Sequence, residues 1–233
     1  MPNRSLRIAL LTAGLAGALA APAASYAQIN LQQFGFGNKS DSSAANGAAQ
    51  PSALNSLVQN YLGANQQVLS GQSSLASAMG MSSVASQAQS AAGLLSGASS
   101  GGVPNTNVLS QLGGTQQSVS QSLMQAFSSQ SATPPTAASK QTFTDGLASL
   151  GQGVKQYAGL QSDLGAVKNT MNMSSLLQAG TNPGTAQAAS YIAQSAPGQL
   201  QSLVQTLTQA VQYAKTNGIS VPAIATSALG AGQ

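Results

Sequence analysis

Catalysis needs groups that move protons, attack carbon or hold a metal, and this chain carries very few of them. Its acids are Asp41, Asp145 and Asp163, and its bases are Arg4, Arg7, Lys39, Lys140, Lys155, Lys168 and Lys215. There is no Glu, His, Cys or Trp. Without histidine a Ser–His–Asp triad is ruled out, and zinc and iron sites lack their usual ligands. Paired carboxylates of the glycosidase kind would have to come from Asp145 and Asp163. These lie on one helical pattern about 27 Å apart at 1.5 Å per residue, while Asp41 falls in a linker. A Ser–Lys dyad would have to use Ser139 and Lys140, adjacent in a linker and not preorganised. The chain is therefore read as non-enzymatic, with no catalytic, cofactor-binding or metal-binding residues and no cofactor.

Charge excludes a second class. Neutralising nucleic-acid phosphates takes clustered Lys and Arg, and here the lysines are scattered, with no formal charge at all from Ser42 to Ser139. Gly151-x-Gly153 lacks the strand–loop–helix setting of a phosphate cradle and reads as a close-packing position. Membrane association is unsupported by charge, because surface-binding helices normally carry Lys or Arg on the polar face.

What must position any function is a set of helices. The longest pattern runs from Thr142 to Met173, where Phe143, Leu147, Leu150, Val154, Tyr157, Gln161, Leu164, Lys168 and Met171 recur at steps of four and three. That is the a/d seam of a coiled coil. Phe143, Leu147, Leu150, Val154, Tyr157, Leu164 and Met171 are its packing residues. Gly146, Gly151, Gly153, Ala158 and Gly165 flank the seam, so a neighbouring helix can come close and the stretch reads as a central packing helix. Thr142 or Thr144 is its expected N-cap, and Asp145 in its first turn suits the helix dipole. Gln161 and Lys168 interrupt the seam. Either they set register, or Leu160 and Val167 take over the buried stripe and leave them at its edge, which is the reading preferred here.

Upstream, Pro51 opens a helix with Leu54, Leu57, Val58, Tyr61, Leu62, Val68 and Leu69 on one face and Asn65 interrupting it. Gly80 marks a turn before a thinner stripe of Met81, Val84, Ala85, Ala88, Ala92 and Leu95. Residues 97–107 read as a loop. Val108, Leu112, Val119, Leu123 and Phe127 form the next stripe, with a break expected at Gly113-Gly114, since each interior glycine costs about 1 kcal/mol relative to alanine. Downstream, Ala188, Ala189 and Ile192 form a small helix stopped near Pro197. A long one follows through Leu200, Leu203, Val204, Leu207, Ala210, Val211 and Ala214, ended by Lys215 and Asn217-Gly218. The tyrosines at 61, 157, 191 and 213 read as amphipathic core residues. Pro51-x-x-Leu54-x-Ser-Leu-Val-Gln matches Pro197-x-x-Leu200-x-Ser-Leu-Val-Gln. A duplicated unit would leave such a match, but so would chance between two helices drawn from few residue types.

The ends complete the expectation. Residues 1–27 have the form of a secretory signal peptide, with Arg4 and Arg7 before an apolar run and Ser25-Tyr26-Ala27 as the cleavage site. Residues 28–50 form a flexible arm and linker in which Ile29, Leu31, Phe34 and Phe36 are candidate assembly residues. The helical domain spans 51–218 and a tail spans 219–233. The fold class is all-α, a bundle of about five to seven amphipathic helices. The expected role is that of an exported, extracellular or periplasmic structural or interaction protein. Its partner would be itself or another envelope or extracellular protein. A membrane-active helical protein and a periplasmic apolar-ligand or chaperone module are the alternatives.

Overall fold

The structure, a computed structural model, describes residues 51–100, 103–129, 136–168 and 182–231. They form six helices and no strand: α1 (Pro51–Ala78), α2 (Ser82–Ser100), α3 (Thr106–Ser128), α4 (Ala137–Lys168), α5 (Pro183–Thr216) and α6 (Ala223–Ala231). The signal-peptide segment, the arm residues Ile29, Leu31, Phe34 and Phe36, and Met171 lie outside the described residues.

Residue pairings give the directions. Gly71 meets Leu150 while Gly153 meets Val68, so α1 and α4 are antiparallel. Leu109 meets Tyr191 and Phe127 meets Tyr213, so α3 and α5 are parallel. Helices α1 to α5 therefore run up, down, up, down, up, with α6 laid across α4. The large apolar side chains form one core in which Tyr61, Tyr157 and Phe143 are the largest fully buried members.

Small residues set the closest approach. A methyl group on Gly71 would stand 2.5 Å from the Leu150 amide nitrogen, and one on Gly153 would stand 2.5 Å from Val68 Cγ2. On another side of α4, Gly151 receives α6, where an added Cβ would be 2.8 Å from Ala225 Cα. Centrality is nonetheless shared: α1 touches α2, α3, α4 and α5, whereas α4 touches α1, α5 and α6. The reason is the width of the buried stripe on α1, which takes in Ala64, Asn65, Gln72 and Ser73 beside its leucines.

Several boundaries differ from expectation. Helix α4 starts at Ala137, before Thr142, because Thr136 Oγ1 accepts the Ser139 amide at 3.2 Å and so caps the first turn. Thr142 and Thr144 sit inside the helix and bond back to the carbonyls of Ala138 and Lys140. Asp145 is likewise beyond the first turn, where it accepts from Gln141 Nε2 at 3.0 Å. Helix α2 continues to Ser100, so only the remainder of the 97–107 segment joins it to α3, which Asn105 caps by accepting the Val108 amide at 3.0 Å.

Gly113-Gly114 does not break α3. Gly113 is buried against Gln199 and Tyr191, and tertiary contact outweighs its low propensity. Nor does Pro197 stop a helix: α5 runs through it, since Ala193, Ala196 and Leu200 keep the buried stripe in phase on both sides. Pro51 thus opens a helix while Pro197 lies inside one, so the two halves of the internal match occupy different places in the fold.

Helices α1 and α5 end alike. The amide of Met81 donates to Ala76 O at 2.8 Å and that of Gly80 to Ser77 O at 3.0 Å. The amide of Ile219 donates to Ala214 O at 2.8 Å. In both cases a glycine with positive φ makes the turn, 73° at Gly80 and 60° at Gly218, which is the Schellman arrangement.

Candidate functional site

Where α3 and α5 run side by side, Gly113 presents no side chain, and the space is taken by Gln199 and Tyr191. A Cβ on Gly113 would lie 2.6 Å from Gln199 Nε2 and 3.1 Å from the Tyr191 hydroxyl. Gln199 reaches through to the core. Its Oε1 accepts from Tyr61 Oη at 3.0 Å and from Tyr157 Oη at 2.9 Å. The two phenol rings meet edge to face with centroids 5.7 Å apart. Burial pushes both hydroxyls above the usual tyrosine range. For Tyr61 the bond to Gln199 partly offsets this, and for Tyr157 the charge that Tyr61 would carry adds to it. Both therefore act as neutral donors, tying α1 and α4 to α5.

A band of amides surrounds this knot. Asn65 Nδ2 donates to Tyr61 O at 2.9 Å, and Gln72 Nε2 donates to Ser120 Oγ at 2.8 Å. Tyr191 Oη donates to Leu109 O at 3.2 Å. Four buried amide atoms have no hydrogen-bond partner: Asn65 Oδ1, Gln72 Oε1, and both Oε1 and Nε2 of Gln116. Gln116 is only 2% exposed, yet it lines a cleft of about 440 Å³ between α3 and α5. Gly113, Gly114 and Ser120 of α3 and Tyr191, Gln199 and Ser202 of α5 share that lining. Its chemistry is amide, hydroxyl and phenol, so it can recognise hydrogen-bonding groups but offers no general acid or base near neutral pH and no charge. Comparison with protein-family models, with curated proteins and with solved structures returned no match.

A second depression of about 630 Å³ lies toward the C-terminal ends of α3 and α5, beside Phe127, Gln209, Gln212 and Tyr213. Under it Phe127, Phe143 and Tyr213 form an aromatic trio, with Phe143 stacked on Tyr213 at 5.3 Å and edge-on to Phe127 at 5.9 Å.

The seam residues Phe143, Leu147, Leu150, Val154, Tyr157 and Leu164 are buried, as is Leu160, while Gln161 is exposed. Of these, Tyr157 alone reaches the amide band. Asp145, Asp163 and Lys155 are exposed on α4. Ser139 and Lys140 point to different tasks. The serine hydroxyl pairs with Thr136 Oγ1 at 2.9 Å, and Lys140 Nζ donates to the carbonyls of Asn217 and Gly218 at 2.9 and 3.3 Å. Among the described residues no group of three acids, histidines or cysteines is placed to hold a metal.

Sequence reasoning missed Gln72, Gln116 and Gln199, and it treated Asn65 as a mere interruption. Glutamine is so frequent on the exposed faces here that a buried one does not stand out. A signal did exist: Gln116 falls four residues after Leu112 and three before Val119, on the apolar stripe itself, and Gln72 stands likewise between Val68 and Leu75.

Proposed function

We propose that this chain is a non-catalytic structural or interaction protein of the cell exterior, working through the shape and hydrogen bonding of a neutral helical bundle. Self-association, or attachment to another envelope or matrix protein, is its favoured mode. One observation carries the reading: the bundle encloses its apolar residues under a surface of Gln, Ser, Thr, Ala and Gly. Among the described residues Leu94, 47% accessible, is the exposed large hydrophobic side chain. A surface with so little charge gives weak colloidal repulsion and leaves amides and hydroxyls to make contacts. The signal-like residues 1–27 support export, and Ile29, Leu31, Phe34 and Phe36 supply the apolar contacts that the helical surface lacks.

Light scattering after size exclusion, over a wide concentration range, tests this. The expected result is a mass that rises with concentration, and loss of that rise when residues 28–50 are deleted. A strict monomer at high concentration overturns the reading. No helix among the described residues is long and apolar enough to cross a membrane. A membrane-active role would need the bundle to open, which leakage from neutral and anionic vesicles would reveal.

A further inference from the structure

The structure assigns a ligand to the cleft between α3 and α5: we propose that it binds a small, neutral, hydroxyl-rich molecule, a mono- or disaccharide, on the amide of Gln116. This goes beyond the interaction role above and holds whether or not copies of the chain associate.

The first ground is Gln116 itself. Its amide is buried, faces the cleft, and has neither a donor nor an acceptor for its two polar atoms. Buried amides are almost always paired, so an orphaned one lining a cavity calls for a partner that both gives and accepts hydrogen bonds. Two neighbouring sugar hydroxyls do both at once. Ser120 adds to this: its Oγ accepts from Gln72, which leaves its own proton to donate.

Chemistry narrows the class. An ion would lose its hydration in the cleft with no opposite charge to meet it. A purely apolar ligand would leave the Gln116 amide still unpaired. The half-buried ring of Tyr191, its hydroxyl anchored on Leu109 O, offers an apolar surface for the face of a pyranose.

Room is the third ground. Gly114 has nothing within 4 Å of where a Cβ would stand, and it sits beside Gly113 in a helix interior where glycine is disfavoured. The cleft, about 440 Å³, lies within the about 300–1,000 Å³ of small-ligand sites.

The test titrates the full chain with glucose, galactose and maltose, followed by saturation-transfer NMR and calorimetry. At least one sugar is expected to bind saturably with a Kd of about 1 mM or tighter. Gln116→Met, which keeps the length but removes the amide, weakens that binding about tenfold or more. Gly114→Leu fills the cleft and abolishes binding while its thermal midpoint rises, because leucine replaces glycine within a helix. The proposal is overturned if no sugar binds, in which case ordered water is all that Gln116 holds. Sugar binding at wild-type affinity in the folded Gly114→Leu variant overturns it too. So does binding of a neutral tetra-alanine peptide in place of every sugar.

Discussion

Gly71 of α1 lies against the backbone of Leu150 of α4 so closely that no side chain fits between them: an added methyl would be 2.5 Å from the Leu150 nitrogen and 2.9 Å from Gly146 O. Both neighbours are backbone, so relief requires one helix to move. Gly71→Ala should gain about 1 kcal/mol of helix propensity but lose about 1–3 kcal/mol to overpacking. The clash is expected to win, because the groups it meets cannot rotate away. Gly63 of α1 is exposed with nothing within 4 Å of its would-be Cβ, so Gly63→Ala should stabilise by up to about 1 kcal/mol. Urea unfolding of the two variants checks the opposite signs.

The shared acceptor makes Tyr61 and Tyr157 interdependent. Removing one hydroxyl, by Tyr61→Phe or Tyr157→Phe, leaves Gln199 Oε1 with the other donor and should cost about 1 kcal/mol. Removing both strands the acceptor, so the double variant should cost more than the sum of the single ones. A double-mutant cycle measures this, and strict additivity would show that Gln199 does not couple them.

The same pair fixes the alkaline limit. Burial raises both phenols in the folded state above the model value of 10.0. The unfolded chain therefore loses its tyrosine protons first, and by linkage stability falls as pH rises. The stability attached to these groups is fully present below pH 10 and is lost progressively above it as the pH climbs toward the raised folded values. Denaturation midpoints taken across that range should drop, and the drop should be smaller in Tyr157→Phe.

Lys140 secures the far end of α5 from the start of α4, through Asn217 O and Gly218 O. Carbonyls at a helix C-terminus carry partial negative charge, and a cation there is worth about 0.3–1 kcal/mol at low ionic strength. Lys140→Met keeps most of the stem and should lose about that amount, with the deficit shrinking as salt is added. Unfolding curves at two ionic strengths separate this from a packing loss, which salt would leave unchanged.

Much of the architecture was legible because apolar periodicity is local. The stripes of α1, α3, α4 and the second half of α5 all end in the core, and Gly80 and Gly218 turn the chain where the glycine pattern places turns. What failed was punctuation. Gly113-Gly114 and Pro197 are breakers by propensity, but each sits where neighbouring buried residues hold the helix in phase, and that information is tertiary. Thr136 was passed over as a cap because two threonines further on matched the same rule. The candidate site was hardly readable at all. Its four key residues, Gln72, Gln116, Tyr191 and Gln199, are brought together by the parallel pairing of α3 and α5 and by the position of α1, which no single-helix pattern encodes.

Gln199 stands 138 residues beyond Tyr61 and 42 beyond Tyr157. A growing polypeptide cannot bury those two phenols comfortably until the amide that receives them has emerged, since an unmatched hydroxyl in an apolar interior is penalised. Completion of the interior is thereby deferred to the last third of synthesis, and a fragment ending before that glutamine should stay loose and open to proteases, whatever helices it has already formed.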